Sequence, residues 1–203
     1  MREPSESLRN VVFDMGGVLF KWEPMTYARR VVDSEEDAEL LAREVFESRE
    51  WALGDAGVVS TETIAWAAKQ RLPERLGEKV DELIFHWFDR RTVIEGTAEL
   101  IADLKRQGFG VYLLSNAGET FEQYKVDLPS YELFDGMVVS YRERLMKPDP
   151  AIYGLLLGRF GLVAKESIFI DDTPLNVEGA RRVGMQARHF DGDVASLRAY
   201  LLG

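Results

Sequence analysis

VVFDMGGVLF, residues 11–20, is the stretch on which the fold turns. Three large apolar residues, Val11, Val12 and Phe13, run straight into a carboxylate, Asp14. Two glycines, Gly16 and Gly17, follow before the chain turns apolar again. A short continuous apolar run is the pattern of a strand buried on both faces of a parallel sheet. Open α/β sheets bind ligands beyond the carboxyl ends of their strands. An acid at such a tip, with side-chain bulk stripped away just after it, therefore marks a candidate site.

Downstream, runs of the same kind return at intervals. TAELIADLKRQG (97–108) has apolar residues at helical spacing and ends in Gly108; GVYLLSN (110–116) is a buried-strand run. GETFEQYKV (118–126) is weakly helical, and GMVVS (136–140) reads as a strand. DPAIYGLLLGRFG (149–161) is a helix with Pro150 in its first turn and Gly161 past its end. SIFIDD, NVEGARRVG, MQARHF and DVASLRAYLL continue as strand, helix, strand and helix. Such alternation implies βαβ units: an α/β, Rossmann-like core with a parallel sheet and helices on both faces.

Residues 20–90 break that rhythm. PMTYARRVVD, SEEDAELLAREVFES, STETIAWAAKQRL and GEKVDELIFHWF are helical patterns with no convincing strand among them; Ser34 and Ser60 stand as N-caps. LGDAGVVS (53–60) reads as a glycine-containing loop. Strand-to-helix connections are usually about 2–6 residues long, so this segment reads as a helical insertion after the first strand. The expected division is a core of 1–19 and 91–203 around a helical unit of 20–90.

Composition narrows the function. The chain has 203 residues with 25 Lys plus Arg against 35 Asp plus Glu, a net charge of −10. That argues against a general nucleic-acid or anionic-membrane binder, and requires any anion site to be locally positive. No cysteine is present, which removes disulfide and thiolate chemistry, and His86 and His189 are the only histidines. The stretch MREPSESLRN lacks a secretory pattern, EPSES reads as a frayed end, and no apolar run is long enough to span a bilayer. The expectation is a cytoplasmic protein, monomer or homodimer.

Applied to the strands, the edge rule collects a coherent set. Asp14 ends the first; Ser115 and Asn116 end the second; Asp171 and Asp172 end the run IFI; Lys147 lies in MKPDP past the third. Taken singly, each reads as capping, turn chemistry or a surface charge. Together they place three carboxylates, which repel unless a cation sits among them, beside one compact positive charge. Hard oxygen donors without a Cys or His cluster point to Mg²⁺, and glycines 16 and 17 let backbone approach an anion. The set is equipment for phosphoryl transfer.

These segments resemble the four motifs of the haloacid dehalogenase superfamily, most of whose members are Mg²⁺-dependent phosphatases. FDMGGVLF is similar to the first motif, LLSN to the second, Lys147 in MKPDP to the third and FIDDTPLN to the fourth. The insertion resembles the family's small helical cap. MKPDPAIY and FIDDTPLNVEGARRVGM are especially similar to bacterial phosphatases acting on α-D-glucose 1-phosphate. The resemblance implies Asp14 as nucleophile, forming an aspartyl-phosphate. It implies a metal held by Asp14, the Gly16 carbonyl and Asp172, with Asp171 direct or through water, and Asn176 behind them. Ser115 would bond the phosphoryl group with Asn116 assisting, Gly17 would leave it room, and Lys147 would neutralise its charge. The implied substrate is a small phosphorylated metabolite, expected to be a sugar phosphate.

One position departs from the pattern. Most phosphatases of this superfamily carry a second Asp where this chain has Gly16. A general acid of that kind is worth about 10²–10⁴ in rate. Activity is then low, or the leaving group needs less help, or the insertion supplies an acid. Trp22 is the foremost expected leaving-group contact. Arg49, Trp51, Asp55, His86 and Trp87 are further candidates, although Trp66 and Trp87 read first as packing residues. Two alternatives stand beside the phosphatase: a 2-haloacid dehalogenase, disfavoured by the paired late acids, and a phosphate- or partner-binding relative without turnover.

Overall fold

A computed structural model describes residues 8–203; the EPSES segment lies outside the described residues. Five strands form one parallel sheet: β1 (Asn10–Phe13), β2 (Gly110–Ser115), β3 (Gly136–Val139), β4 (Ser167–Asp171) and β5 (Gln186–His189), in the order β3-β2-β1-β4-β5. Each run expected to be a strand is one. The first strand in sequence is the central one, so it must be apolar on both sides. Val11 and Phe13 join Val111, Leu113, Ile168 and Ile170 in the core on one face. Val12 joins Leu114, Val138 and Phe169 on the other. The two-residue period of a strand does this sorting.

Register then sets the site. Phe13 pairs with Ile170 and with Leu113, and the Asp14 N–H donates to Ile170 O at 2.9 Å. Asp14 and Asp171 are thereby brought level at the carboxyl ends of adjacent strands, and Ser115 ends β2 one step further on.

Between β1 and the next core helix lie α1 (Pro24–Arg29), α2 (Glu35–Phe46), α3 (Arg49–Asp55), α4 (Thr61–Arg71) and α5 (Gly77–His86). Ser34, Ser48 and Ser60 cap α2, α3 and α4, each hydroxyl accepting from the N–H three residues on. Helix α3 corrects the reading of 53–60 as loop throughout: Leu53, Gly54 and Asp55 are its last residues. At 7 residues it is too short to show a periodic pattern, and Gly54 disguises it. Leu41 and Val45 of α2, Ile64 and Ala68 of α4 and Leu83 and Ile84 of α5 bury one shared apolar interior. The outgoing and returning chains are tied together. Phe20 bridges Val93 in antiparallel fashion, Lys21 N donates to Thr92 O at 2.8 Å and Ile94 N to Leu19 O at 3.0 Å.

The core helices follow: α6 (Thr97–Arg106), α7 (Phe121–Tyr124), α8 (Ser140–Glu143), α9 (Pro150–Phe160), α10 (Pro174–Arg182) and α11 (Val194–Leu202). Leu100, Ile101 and Leu104 of α6 and Leu197 and Leu201 of α11 cover one face of the sheet. Ile152, Tyr153 and Leu156 of α9 and Ala180 of α10 cover the other. The weakly helical 118–126 segment holds one short α-helix, α7, followed by a 3₁₀ turn. Among the described residues, no helix is long and apolar enough to cross a membrane.

Candidate active site

The strand ends deliver a buried ionic cluster. Asp14 is 7% exposed, Lys147 4% and Asp171 0%. The Lys147 ammonium sits between the two acids, 2.6 Å from Asp14 Oδ1 and 2.7 Å from Asp171 Oδ2. Its backbone is clamped by Asn116, whose Oδ1 accepts from Lys147 N at 2.9 Å and whose Nδ2 donates to Lys147 O at 3.0 Å. Asp171 is held from below: Oδ1 accepts from Thr173 N at 2.7 Å, and Asn176 Nδ2 lies 3.1 Å from both of its oxygens. Tyr153 in turn donates its hydroxyl to Asn176 O at 2.7 Å.

Asp172 completes a triangle. It is exposed to the opening, and one oxygen from each of Asp14, Asp171 and Asp172 lies within 4.8 Å of the others. Gly17 makes room for it. The glycine sits at φ +76°, and a Cβ there would fall on the Asp172 carboxylate. Three carboxylates against one ammonium leave an excess of two negative charges when all are ionised. The donors are hard oxygens, so the residues fit a divalent cation of the Mg²⁺ type.

The electrostatics say the same. Burial above all pushes the Asp14 carboxyl up to about 7; Lys147 opposes that and Asp171 adds to it. Burial, then the Asp171 charge, raises Asp172 as well. For Lys147 burial works against the charged form, but Asp14 and Asp171 outweigh it and hold the ammonium above its usual range. Without a cation, protons gather where positive charge is wanted.

Above the carboxylates lies a cavity of about 300 Å³ between the sheet edge and the helical insertion. Asp14, Gly16, Asn116, Lys147, Asp172 and Asn176 form its polar floor. Trp22, Phe46, Trp51, Ile64, Ile84 and Trp87 form most of the opposite wall. The wall is one aromatic cluster: the Trp22 ring centroid is 5.5 Å from Phe46, 6.0 Å from Trp51 and 5.1 Å from Trp87. The Asp55 carboxyl, also on the wall, accepts from the Gly118 N–H and the Trp51 side chain, and burial pushes it up to about 7. Ser140 Oγ donates to Asp55 O at 2.5 Å and Thr61 N to Glu119 Oε1 at 2.6 Å, fastening insertion to core.

The expected residues therefore fall in three groups. Asp14, Gly16, Asn116, Lys147, Asp172, Asn176 and Trp22 line the cavity, with Asp171 directly beneath and Gly17 against Asp172. Ser115 is buried at the end of β2 and is not on the lining, although the three residues after it are. Arg49 and His86 lie off the cavity; the exposed His86 pairs with Asp89 at 3.1 Å. Trp66 points outward at 64% exposure, whereas Trp87, expected as packing, both packs and lines the wall. Phe46, Ile84 and Tyr124 were not expected there, since an apolar residue on a helix looks the same whether it faces a core or a cavity.

A family model for hydrolases, described as haloacid dehalogenase-like hydrolase, matches residues 8–184. The chain is 28% identical over 194 residues to the sesquiterpene phosphatase astK of Aspergillus oryzae, spanning 94% of this chain and 93% of that protein. A HAD family enzyme of Bacteroides thetaiotaomicron, solved with magnesium and inorganic phosphate, shares the fold at a TM-score of 0.69 and 18% identity, covering 94% of this chain and 98% of that one. The L-2-haloacid dehalogenase of Xanthobacter autotrophicus, solved with chloropropionic acid covalently bound, does so at 0.67 and 20%, covering 90% and 77%.

Proposed function

The chain belongs to the haloacid dehalogenase-like hydrolases, and from that premise we propose that it is a Mg²⁺-dependent phosphomonoester hydrolase working through Asp14. The observation that carries this reading is the convergence of Asp14, Asp171 and Asp172 on one point, with Lys147 between two of them. Asp14, Asp172 and the Gly16 carbonyl would hold the cation, with Asp171 acting through water because Lys147, Thr173 and Asn176 already occupy its oxygens. The ion supplies neutralisation of the phosphoryl charge.

In the first step an Asp14 oxygen attacks phosphorus, the P–O ester bond breaks, and the leaving alkoxide takes its proton from solvent water, no side-chain acid standing at Gly16. In the second, water attacks the aspartyl-phosphate, releasing phosphate and restoring the carboxylate. Lys147 holds Asp14 in the ionised form that attacks and meets the phosphoryl oxygens. Asn116 assists by fixing the Lys147 peptide, and Asn176 fixes Asp171. Ser115, buried at the end of β2 and off the cavity lining, is not given the phosphoryl contact expected of it, and Gly17 leaves the phosphoryl group room. Trp22 meets the leaving group. We read residues 20–90 as a cap over a core of 1–19 and 91–203, in a cytoplasmic enzyme, monomeric or homodimeric, with no role for nucleic acid or membrane.

The sugar-phosphate expectation rests on MKPDPAIY and FIDDTPLNVEGARRVGM. Both segments belong to the core and serve the phosphoryl end, so they bear little on the alcohol. The dehalogenase reading is favoured by Gly16, since displacement of halide needs no acid at that position, and by the fold of a dehalogenase; the paired Asp171 and Asp172 weigh against it.

Phosphate release from acetyl phosphate and p-nitrophenyl phosphate with Mg²⁺ tests the proposal. Asp14→Asn should abolish it with the fold retained, and EDTA should stop it reversibly. Turnover that survives either treatment removes the proposal, and halide release from 2-chloropropionate would install the dehalogenase instead.

A further inference from the structure

We propose that the substrate is the phosphomonoester of an apolar alcohol, its hydrocarbon held by the aromatic wall of the insertion. This rests on the phosphatase reading for its chemistry, but on the wall for its content.

The wall over the phosphoryl floor consists of Trp22, Phe46, Trp51, Ile64, Ile84 and Trp87. The four rings pack mostly edge-on against one another, and together with Ile64 and Ile84 they line the same space. Trp22 remains 39% exposed although rings surround it, so apolar surface lies open beside the site.

On the insertion side of this space the acidic groups are engaged, and the free donor is the buried Trp87 Nε1, which has no hydrogen-bond partner. The Asp55 carboxyl already accepts from Gly118 N–H and Trp51, and Glu119 accepts from Thr61 N. A sugar ring brings several hydroxyls into the enclosure, and each must find a partner or lose its water uncompensated. This wall offers such partners poorly. A hydrocarbon chain needs none and removes both its own surface and that of the tryptophans from water. A cavity of about 300 Å³ is of the size that accepts a small organic group.

A homologous series reads the wall directly. Ethyl, butyl, hexyl and octyl phosphate, offered to the full chain with Mg²⁺, should show kcat/KM rising by about fourfold per buried methylene until the cavity is full. Octyl phosphate should then exceed glucose 1-phosphate by about a hundredfold or more. Trp22→Ser should cut the octyl-to-ethyl ratio by about tenfold, with Trp22→Phe restoring most of it. A flat series, or a sugar phosphate that outruns every alkyl phosphate, overturns the inference.

Alkylphosphonates resist hydrolysis and separate the two claims. Their binding, followed by quenching of Trp22, Trp51 and Trp87 fluorescence, should tighten with chain length whether or not the enzyme turns over. Affinities that rise with length in a protein releasing no phosphate would sink the phosphatase reading and support the apolar site. Affinities indifferent to length overturn the apolar site even if phosphate is released.

Discussion

At the scale of single residues, Lys147 decides most. Its ammonium is the contact that lets Asp14 and Asp171 lie buried side by side. Lys147→Ala leaves two carboxylates facing each other without the cation between them, and removing one member of a buried ion pair costs about 3–5 kcal/mol. Urea unfolding at pH 8 should show that loss. It should shrink at pH 5, where Asp14, whose carboxyl burial pushes up to about 7, takes up a proton and stops repelling. Gly17 is the second critical position. Gly17→Ala meets both the positive φ and the Asp172 carboxylate, and should lower stability by about 1–2 kcal/mol. It should also weaken Mg²⁺ binding, measured as a smaller rise in Tm on adding the ion. Asp14, Lys147, Asp171 and Asp172 were legible in the sequence because parallel strands must end at one edge and the acids sit at those ends. The task of Asn116 was not, because its two bonds to the Lys147 peptide depend on how two separate loops meet. Ser115 marks the same boundary: its place on the strand was readable, its distance from the cavity lining was not.

Among elements, the strands and long helices followed from periodicity, whereas α3 did not. Its cap, Ser48, was not singled out, and the 7 residues Arg49–Asp55 carry no repeat to detect. The omission matters because α3 places Trp51 and Asp55 on the cavity wall. Asp55 also ties that helix to the loop after β2, and here pH acts on the join. Burial raises its carboxyl from an ordinary 3.8 to about 7 in the folded chain. The folded state therefore holds a proton that the unfolded state has released across this interval. Stability falls as the pH climbs through it. Asp55→Asn keeps an oxygen to accept from Gly118 N–H and removes the titration. Its Tm should gain on that of the unmodified chain between pH 5 and pH 8; a constant difference would mean that Asp55 is ionised in the fold.

For the molecule as a whole, the division of labour runs between sheet edge and insertion. On the proposed reading, the net charge of −10 makes the interior ammonium of Lys147 and a cation held by the three acids the means by which an anion would be admitted. The sheet edge was readable from sequence because its chemistry is written in charged residues at strand ends. The wall was not, because apolar helical residues carry no mark of which cavity they face. The paired backbones at Phe20 and Val93 carry a consequence of their own. Neighbouring strands run about 5 Å apart, so the two cut ends of the chain can be spliced with one or two glycines. The shortened protein, lacking residues 21–92, should keep all five strands and their parallel far-ultraviolet dichroism. It should still cleave acetyl phosphate, yet treat short and long alkyl esters alike: a bare reaction centre from which selectivity has been surgically detached.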